Sequence, residues 1–305
     1  MNTSAYGSLT RREVLAGASS LAAAGGLLPR RGIAAAAEAS VSRGTAKLDG
    51  IAVYYEVHGG HLNTGRVPIV LLHGGAMTLE TAYTPDLIAR FAQHQPVILI
   101  EPQGHGRTAD RPGQPMSVVQ MAKDIAGVLA HLEVRQADLY GHSLGGMIAT
   151  GVAIRHPQVV RNVTTLGTPY QLEGFRPDLV RLQRDPNATP SPELTKLLPT
   201  ESDFASWRAS FERIAPDPTA YDAILARLNT ALATWTGWTE AELRSVRART
   251  LIAIGDNDFV RVEHAAEVAR LIPHARLAVL PGTTHLNIVT RDGWLRPMMQ
   301  AIEQA

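Results

Sequence analysis

One short stretch constrains this chain more than any other: Gly141-His142-Ser143-Leu144-Gly145, with Gly146 next. It lies between a short apolar run, Ala137–Tyr140, and a segment of helical character, Leu144–Arg155, which ends near Pro157. A serine framed by glycines at this spacing marks a sharp turn from strand to helix. The residues two before and two after it must be small because the two backbones come close. The turn lifts the hydroxyl clear of the sheet and aims the first N–H groups of the helix toward it. Such a turn needs a sheet whose strands alternate with helices.

The rest of the chain supplies that alternation. Gly44–Leu48 and Ile51–His58 are β-prone runs around Asp49-Gly50, a strong hairpin signal. Residues 67–72 and 96–100 are continuous apolar runs, the pattern of strands covered on both faces. Between them the spacing predicts a helix over 79–93. Ser117 and Gln120 spell a capping box, and Val118, Met121, Ile125, Val128, Leu129 and Leu132 follow at helical spacing. Residues 160–166, 250–254 and 276–280 read as further strands, and 262–272 and 293–303 as helices. This order predicts an α/β fold with a mostly parallel sheet. Residues 169–247 break the rhythm, with eight prolines, three of the four tryptophans and three of the five phenylalanines, and read as a helical insertion.

Composition removes whole classes of function. With 45% hydrophobic and 19% charged residues in 305, the chain is neither disordered nor short of core. It has no cysteine, which excludes a disulfide framework, a thiolate zinc site and a cysteine nucleophile. The formal net charge of +1 gives no footprint for nucleic acid. No His-Glu-x-x-His pattern occurs, so neither a catalytic metal nor a cofactor is expected. Gly104-His-Gly-Arg-Thr-Ala109 imitates a dinucleotide fingerprint, but the Asp110-Arg-Pro-Gly that follows cannot open the helix such a site requires.

Residues 1–39 are different in kind. They hold Arg11, Arg12, Arg30 and Arg31, then a weakly apolar Ala/Gly-rich run, Val14–Leu28, and small residues at 34–39. The run is shorter than the roughly 20 strongly apolar residues of a membrane span. The stretch Leu9-Thr-Arg-Arg-Glu-Val-Leu15 resembles a twin-arginine export signal. That resemblance implies handling by the twin-arginine export machinery, cleavage near residues 36–39, no stable membrane anchor, and a periplasmic or secreted protein. The chain after it, residues 40–305, is left with 25 basic and 26 acidic residues.

A serine hydroxyl is a weak nucleophile and needs a base, itself oriented by a carboxylate. Downstream of Ser143, one strand opens into Gly255-Asp256-Asn257-Asp258 and the next into Pro281-Gly-Thr-Thr-His285. Both lie at carboxyl ends of strands, where open α/β sheets place ligands. Upstream, Leu71-Leu-His73-Gly74-Gly75-Ala76 ends a strand in a glycine pair, whose N–H with that of Leu144 suits the oxyanion of a tetrahedral intermediate.

With these motifs, residues 44–305 resemble an α/β-hydrolase with a cap. The resemblance implies a mostly parallel eight-stranded sheet flanked by helices, built from 40–168 and 248–305, with a helical cap over 169–247. It implies Ser143 as nucleophile, Asp258 as acid (Asp256 being its rival) and His285 as base. Gly75, in preference to Ala76, and Leu144 would form the oxyanion hole. Glu101 and Thr108 depart from the Asp and Ser that such proteins often carry there. His73, His105 and His142 are expected to orient the loops beside the serine. Met77, Met147, Trp207 and Phe211 are candidates for the pocket wall. The activity implied is hydrolysis of small apolar carboxylic esters or lactones. Carbon–carbon bond hydrolysis or cofactor-free haloperoxidase or perhydrolase chemistry uses the same three residues, and a non-catalytic binding protein is a further alternative. Aspartate-nucleophile epoxide hydrolases and dehalogenases are excluded by Ser143.

Overall fold

The computed structural model describes residues 41–62, 65–111, 113–185 and 187–304; the export-signal reading of 1–39 lies outside them. The strands are β1 (Ser42–Leu48), β2 (Ile51–His58), β3 (Ile69–Leu72), β4 (Val97–Ile100), β5 (Ala137–His142), β6 (Val160–Leu166), β7 (Arg249–Asn257) and β8 (Ala275–Thr284). They form one sheet in the order β1-β2-β4-β3-β5-β6-β7-β8. β1 and β2 pair antiparallel with Leu48 opposite Ile51, so Asp49 and Gly50 make the turn, and Gly50 takes the left-handed φ of +71°. β2 meets β4 antiparallel, and every pairing from β4 to β8 is parallel.

The apolar runs are continuous because both faces are covered. In β3, Val70 and Leu72 enter one core while Ile69 and Leu71 enter the other; Ile98 and Ile100 of β4 divide from Val97 and Leu99 in the same way. On the first face lie α3 (Val118–His131), α4 (Leu144–Arg155) and α10 (Val262–Leu271); α1 (Leu79–Ala82), α2 (Pro85–Ala92) and α11 (Asp292–Gln304) cover the second. α4 is buried from Leu144 through Ala153, which explains why its sequence is apolar all round.

Two local expectations are corrected. The helix expected over 79–93 is broken in two. Tyr83 and Thr84 are extended, as the residue before a proline prefers, and Pro85 starts α2 with Thr84 as its cap. At α3, Ser117 accepts from the Gln120 N–H, but the reciprocal half of the capping box is missing, because the Gln120 side chain turns forward to Asp124.

Between β6 and β7 run α5 (Pro177–Arg184), α6 (Pro192–Thr195), α7 (Glu201–Ile214), α8 (Tyr221–Ala233) and α9 (Glu240–Ser245). Several prolines mark starts: Pro177 and Pro192 stand in the first turns of α5 and α6. Thr200 and Thr239 make complete capping boxes with Asp203 and Glu242. Trp238 packs this segment onto α4, where Gly151 leaves room for its ring.

Candidate active site

Four loops converge at the carboxyl ends of the parallel strands. Ser143 follows β5, Asp258 follows β7, His285 follows β8, and His73–Ala76 follows β3. β3 and β5 are neighbours whose connections leave in opposite directions, the switch point at which such sheets form a crevice.

The turn at Ser143 is strained and over-determined. Ser143 has φ +51° and ψ −116°, while its N–H donates to Leu166 and its carbonyl accepts from Gly146 and Met147. Close packing fixes it. A Cβ on Gly141 would lie 2.3 Å from the Gly145 carbonyl oxygen, one on Gly145 2.0 Å from that of Leu72, and one on Gly146 inside the Thr168 side chain. No L side chain fits at Gly141 or Gly145 without moving backbone, or at Gly146 without displacing Thr168, so the glycines hold an unfavourable serine conformation in place.

His285 and Asp258 are both buried, and His285 Nδ1 lies 2.8 Å from Asp258 Oδ1. A carboxylate only accepts, so Nδ1 carries the proton and Nε2 presents its lone pair to the cavity that Ser143 also lines. Among the described residues, no hydrogen bond joins Ser143 Oγ to the imidazole. Val260 N–H also donates to Asp258 Oδ1, fixing the carboxylate. Asp256, the rival acid, is exposed and turns to the Thr283 N–H and Asn257 instead.

Two supporting residues escaped the sequence reading. Gly167, at φ +53°, directly follows β6; a Cβ there would stand 2.6 Å from Asp258 Oδ2 and 3.0 Å from His285 Nδ1. Phe259 stacks on the His285 ring, with centroids 3.9 Å apart. An isolated glycine after a strand and an aromatic beside the acid were the signals available.

The three loop histidines are buried and hydrogen-bonded. His73 Nδ1 donates to the Gly74 carbonyl and His142 Nε2 to that of His285. Burial pushes both down to about 3, so both are neutral. His105 Nδ1 donates to Gln103, so its Nε2 accepts, and the donor there is the Ala76 N–H at 3.2 Å. Burial also lowers His105. Ala76 therefore already has a partner for its N–H, while Gly75 and Leu144 border the cavity on either side of Ser143. Glu101 and Thr108 brace this loop from behind. The buried Glu101 carboxylate accepts from the Arg107 and Leu79 N–H groups, and Thr108 Oγ1 donates to the Glu101 carbonyl.

The cavity holds about 220 Å³. Met77, Met147 and Trp207 line it, with Phe175, Leu198, Leu228 and Leu232. Phe211 does not. It stands one turn beyond Trp207 on α7, about 6 Å farther along the axis, and packs edge-on against Tyr221 of α8. Among the described residues no Asp, Glu, Lys or Arg lines the cavity other than at its Asp258-backed histidine. The polar side chains on the α5–α9 side are Gln183, whose Oε1 is buried without a partner, and Asn229, which is exposed.

Comparison with known proteins gives the same picture from a different direction. Residues 67–292 match the family model of the alpha/beta hydrolase fold. A putative carbamate hydrolase, RutD, of Azorhizobium caulinodans is 29% identical over 254 residues, covering 79% of this chain and 91% of that protein. The 2-hydroxy-6-oxo-2,4-heptadienoate hydrolase of Pseudomonas putida is 26% identical, covering 75% and 86%. Among solved structures, Est816, described as an N-acyl homoserine lactone degrading enzyme, superposes with a TM-score of 0.64 at 26% identity, covering 84% of this chain and 99% of that one.

Proposed function

The chain belongs to the α/β-hydrolase family, and from that premise we propose that it hydrolyses neutral carboxylic esters or lactones through an acyl-enzyme on Ser143. His285 Nε2 takes the Ser143 proton as Oγ attacks the carbonyl carbon. The Gly75 and Leu144 N–H groups hold the oxyanion, and Asp258 stabilises the imidazolium through Nδ1–H. The imidazolium protonates the departing alkoxide, which in a lactone stays tethered to the acyl group. The same histidine then takes a proton from water, whose oxygen attacks the ester, and the acid leaves as Ser143 recovers its proton. The α5–α9 segment serves as the cap that shapes the acyl pocket.

The observation that carries this reading is a serine, an imidazole whose Nδ1 is backed by a buried carboxylate, and an apolar wall around them. The lack of an ionised side chain on that wall favours neutral substrates. A dienoate, such as the Pseudomonas putida relative is named for, brings a carboxylate that a buried apolar wall penalises unless it is paired. Gln183 offers its unpartnered Oε1 to an N–H or O–H on the substrate, which would recover a hydrogen bond now missing.

The test is a series of p-nitrophenyl esters of rising acyl length, γ-lactones and a ring-cleavage dienoate, assayed with the wild type and Ser143→Ala. Turnover of esters or lactones that Ser143→Ala abolishes is the expected result; turnover confined to the dienoate would replace it with carbon–carbon bond hydrolysis. Export by the twin-arginine route belongs to the same proposal and rests on Arg11 and Arg12 ahead of a weakly apolar run. Lysine at both positions should hold the precursor in the cytoplasm, and undiminished secretion would overturn that part.

A further inference from the structure

The opposite end of the sheet, away from Ser143, carries a second concentration of functional groups. A cleft of about 330 Å³ there is lined by Arg161, Arg247, Arg249, His274 and Arg276, with Ile302 as its apolar side. We propose that this cleft binds a multiply charged oxyanion of the phosphate or sulfate type, at a site separate from the hydrolytic cavity.

The placement follows from the topology. β6, β7 and β8 are parallel neighbours, so their starting residues share one edge. Arg161 is the second residue of β6, Arg249 the first of β7 and Arg276 the second of β8. Arg249 is in register with Asn162, and Arg276 with Leu251. Strands about 4.8 Å apart, with a rise of about 3.3 Å per residue, therefore place the three arginine backbones within about 14 Å of one another, within reach of their long side chains. Arg247 and His274 join them from the turns that precede β7 and β8. Seven or eight residues of β7 separate this edge from the catalytic loops, about 25 Å.

Among the described residues the charges are only partly balanced. Arg161 is held by the buried Asp138 carboxylate, through Nε at 2.8 Å, and lies 3.6 Å from Glu303. Asp138 also accepts from Asn162 and Gln95, which leaves it turned inward. Among the described residues, Arg247, Arg249 and Arg276 have no carboxylate within ion-pair distance. A chain whose residues 40–305 carry nearly equal numbers of basic and acidic groups has thus gathered mutually repelling guanidiniums at one edge. A tetrahedral oxyanion relieves that repulsion and accepts from each planar fork in pairs, a geometry a chloride ion cannot match. The same chemistry is offered by free phosphate and by the phosphate of a lipid headgroup.

The full chain, thermally unfolded in 10 mM sodium phosphate and in sodium chloride of equal ionic strength, tests the site. We expect the midpoint in phosphate to be higher by about 3 °C or more, the shift of a site well saturated at that concentration. The Arg249→Gln/Arg276→Gln variant should lose this difference while its p-nitrophenyl ester turnover stays within about twofold of wild type. Vesicles of phosphatidic acid, compared with phosphatidylcholine, separate the two sources. Capture by the former that the double variant abolishes supports the site with a headgroup as its occupant; a free-phosphate shift alone supports a small-ion site. Equal midpoints in phosphate and chloride together with no selective capture would overturn the proposal, and so would a phosphate effect that survives in the double variant. If the double variant fails to fold, the wild-type comparison of phosphate with chloride and of the two vesicles still decides.

Discussion

The floor and the roof of the cavity at Ser143 are built on opposite physical terms. The floor is built on backbone against backbone: Gly141 and Gly145 have no room for a Cβ, Gly167 lies against the Asp258 and His285 side chains, and a strained serine is held by its neighbours. The roof, α5–α9, is held by side chains. Besides buried side chains such as Leu194, Leu228 and Leu243, it relies on helix caps at Ser191, Thr200 and Thr239, on exposed ion pairs such as Arg184–Glu173 and Arg244–Glu240, and on a few aromatic contacts. Exposed pairs and single caps contribute on the order of 1 kcal/mol or less each. The Ser143 turn is therefore fixed by contacts that tolerate almost no substitution, while the exposed part of the α5–α9 side rests on contacts that can be exchanged one at a time.

The largest expected effect is on the floor and is chemical. Ser143→Ala should lower ester turnover by at least about 10⁴-fold with the fold intact by circular dichroism; retained turnover would remove the floor's catalytic role. Gly145→Ala tests its rigidity. The added methyl overlaps the Leu72 carbonyl, so we expect a loss of more than about 4 kcal/mol in urea unfolding, or no folded protein. An unchanged denaturation midpoint would show that the floor can yield.

Acid should also strike the floor first. His73 and His142 are driven by burial to about 3 from an ordinary value near 6.5, so the folded state binds fewer protons than the unfolded chain between those values. Their contribution is complete above about pH 6.5 and is lost as the pH falls through that window toward 3. Glu101, which burial pushes up to about 7, works in the opposite direction over part of this range. Urea midpoints at pH 7.5, 5.5 and 4.5 should therefore decline in that order only as far as the two histidines outweigh it, and a rising series would contradict it.

The roof should respond more gently. Trp207→Leu, by enlarging the cavity, should move the preferred acyl chain to greater length and change kcat/KM for the longest esters about tenfold, with short-ester kcat within about threefold. A kcat collapse on all esters would mean that the roof positions the reacting atoms after all. Smallest of all, Thr200→Ala removes the cap of α7 and should cost about 1 kcal/mol in stability, read from the same urea curves, with no change in turnover.

How much of this was legible in the sequence divides along the same line. The floor announces itself because its demands are local. A turn that brings backbones into contact admits only glycine, and strands covered on both faces must be apolar throughout, so Ser143, its glycines and the strand–helix order can be read directly. Asp258 and His285 were legible as residues ending consecutive strands. The choice of Asp258 over Asp256, by contrast, came from likeness to a family pattern, and the structure brings only Asp258 to the imidazole. The break at Pro85 follows a local rule, the extended preference of the residue before a proline, whereas the half-made cap at Ser117 shows the limit of such rules, because the Gln120 side chain meets Asp124 instead.

What the chain determined by itself, then, is the alternating α/β layout and the strained serine turn, because steric exclusion and burial act residue by residue along the sequence. What only the tertiary structure decided is which distant groups meet. Phe211 packs on Tyr221 and is not in the cavity wall; Ala76 gives its N–H to His105; Gly167 makes room for Asp258; and three strand-start arginines share one edge. These outcomes depend on the relative placement of elements, which is set by packing many side chains at once and is written in no single stretch of sequence.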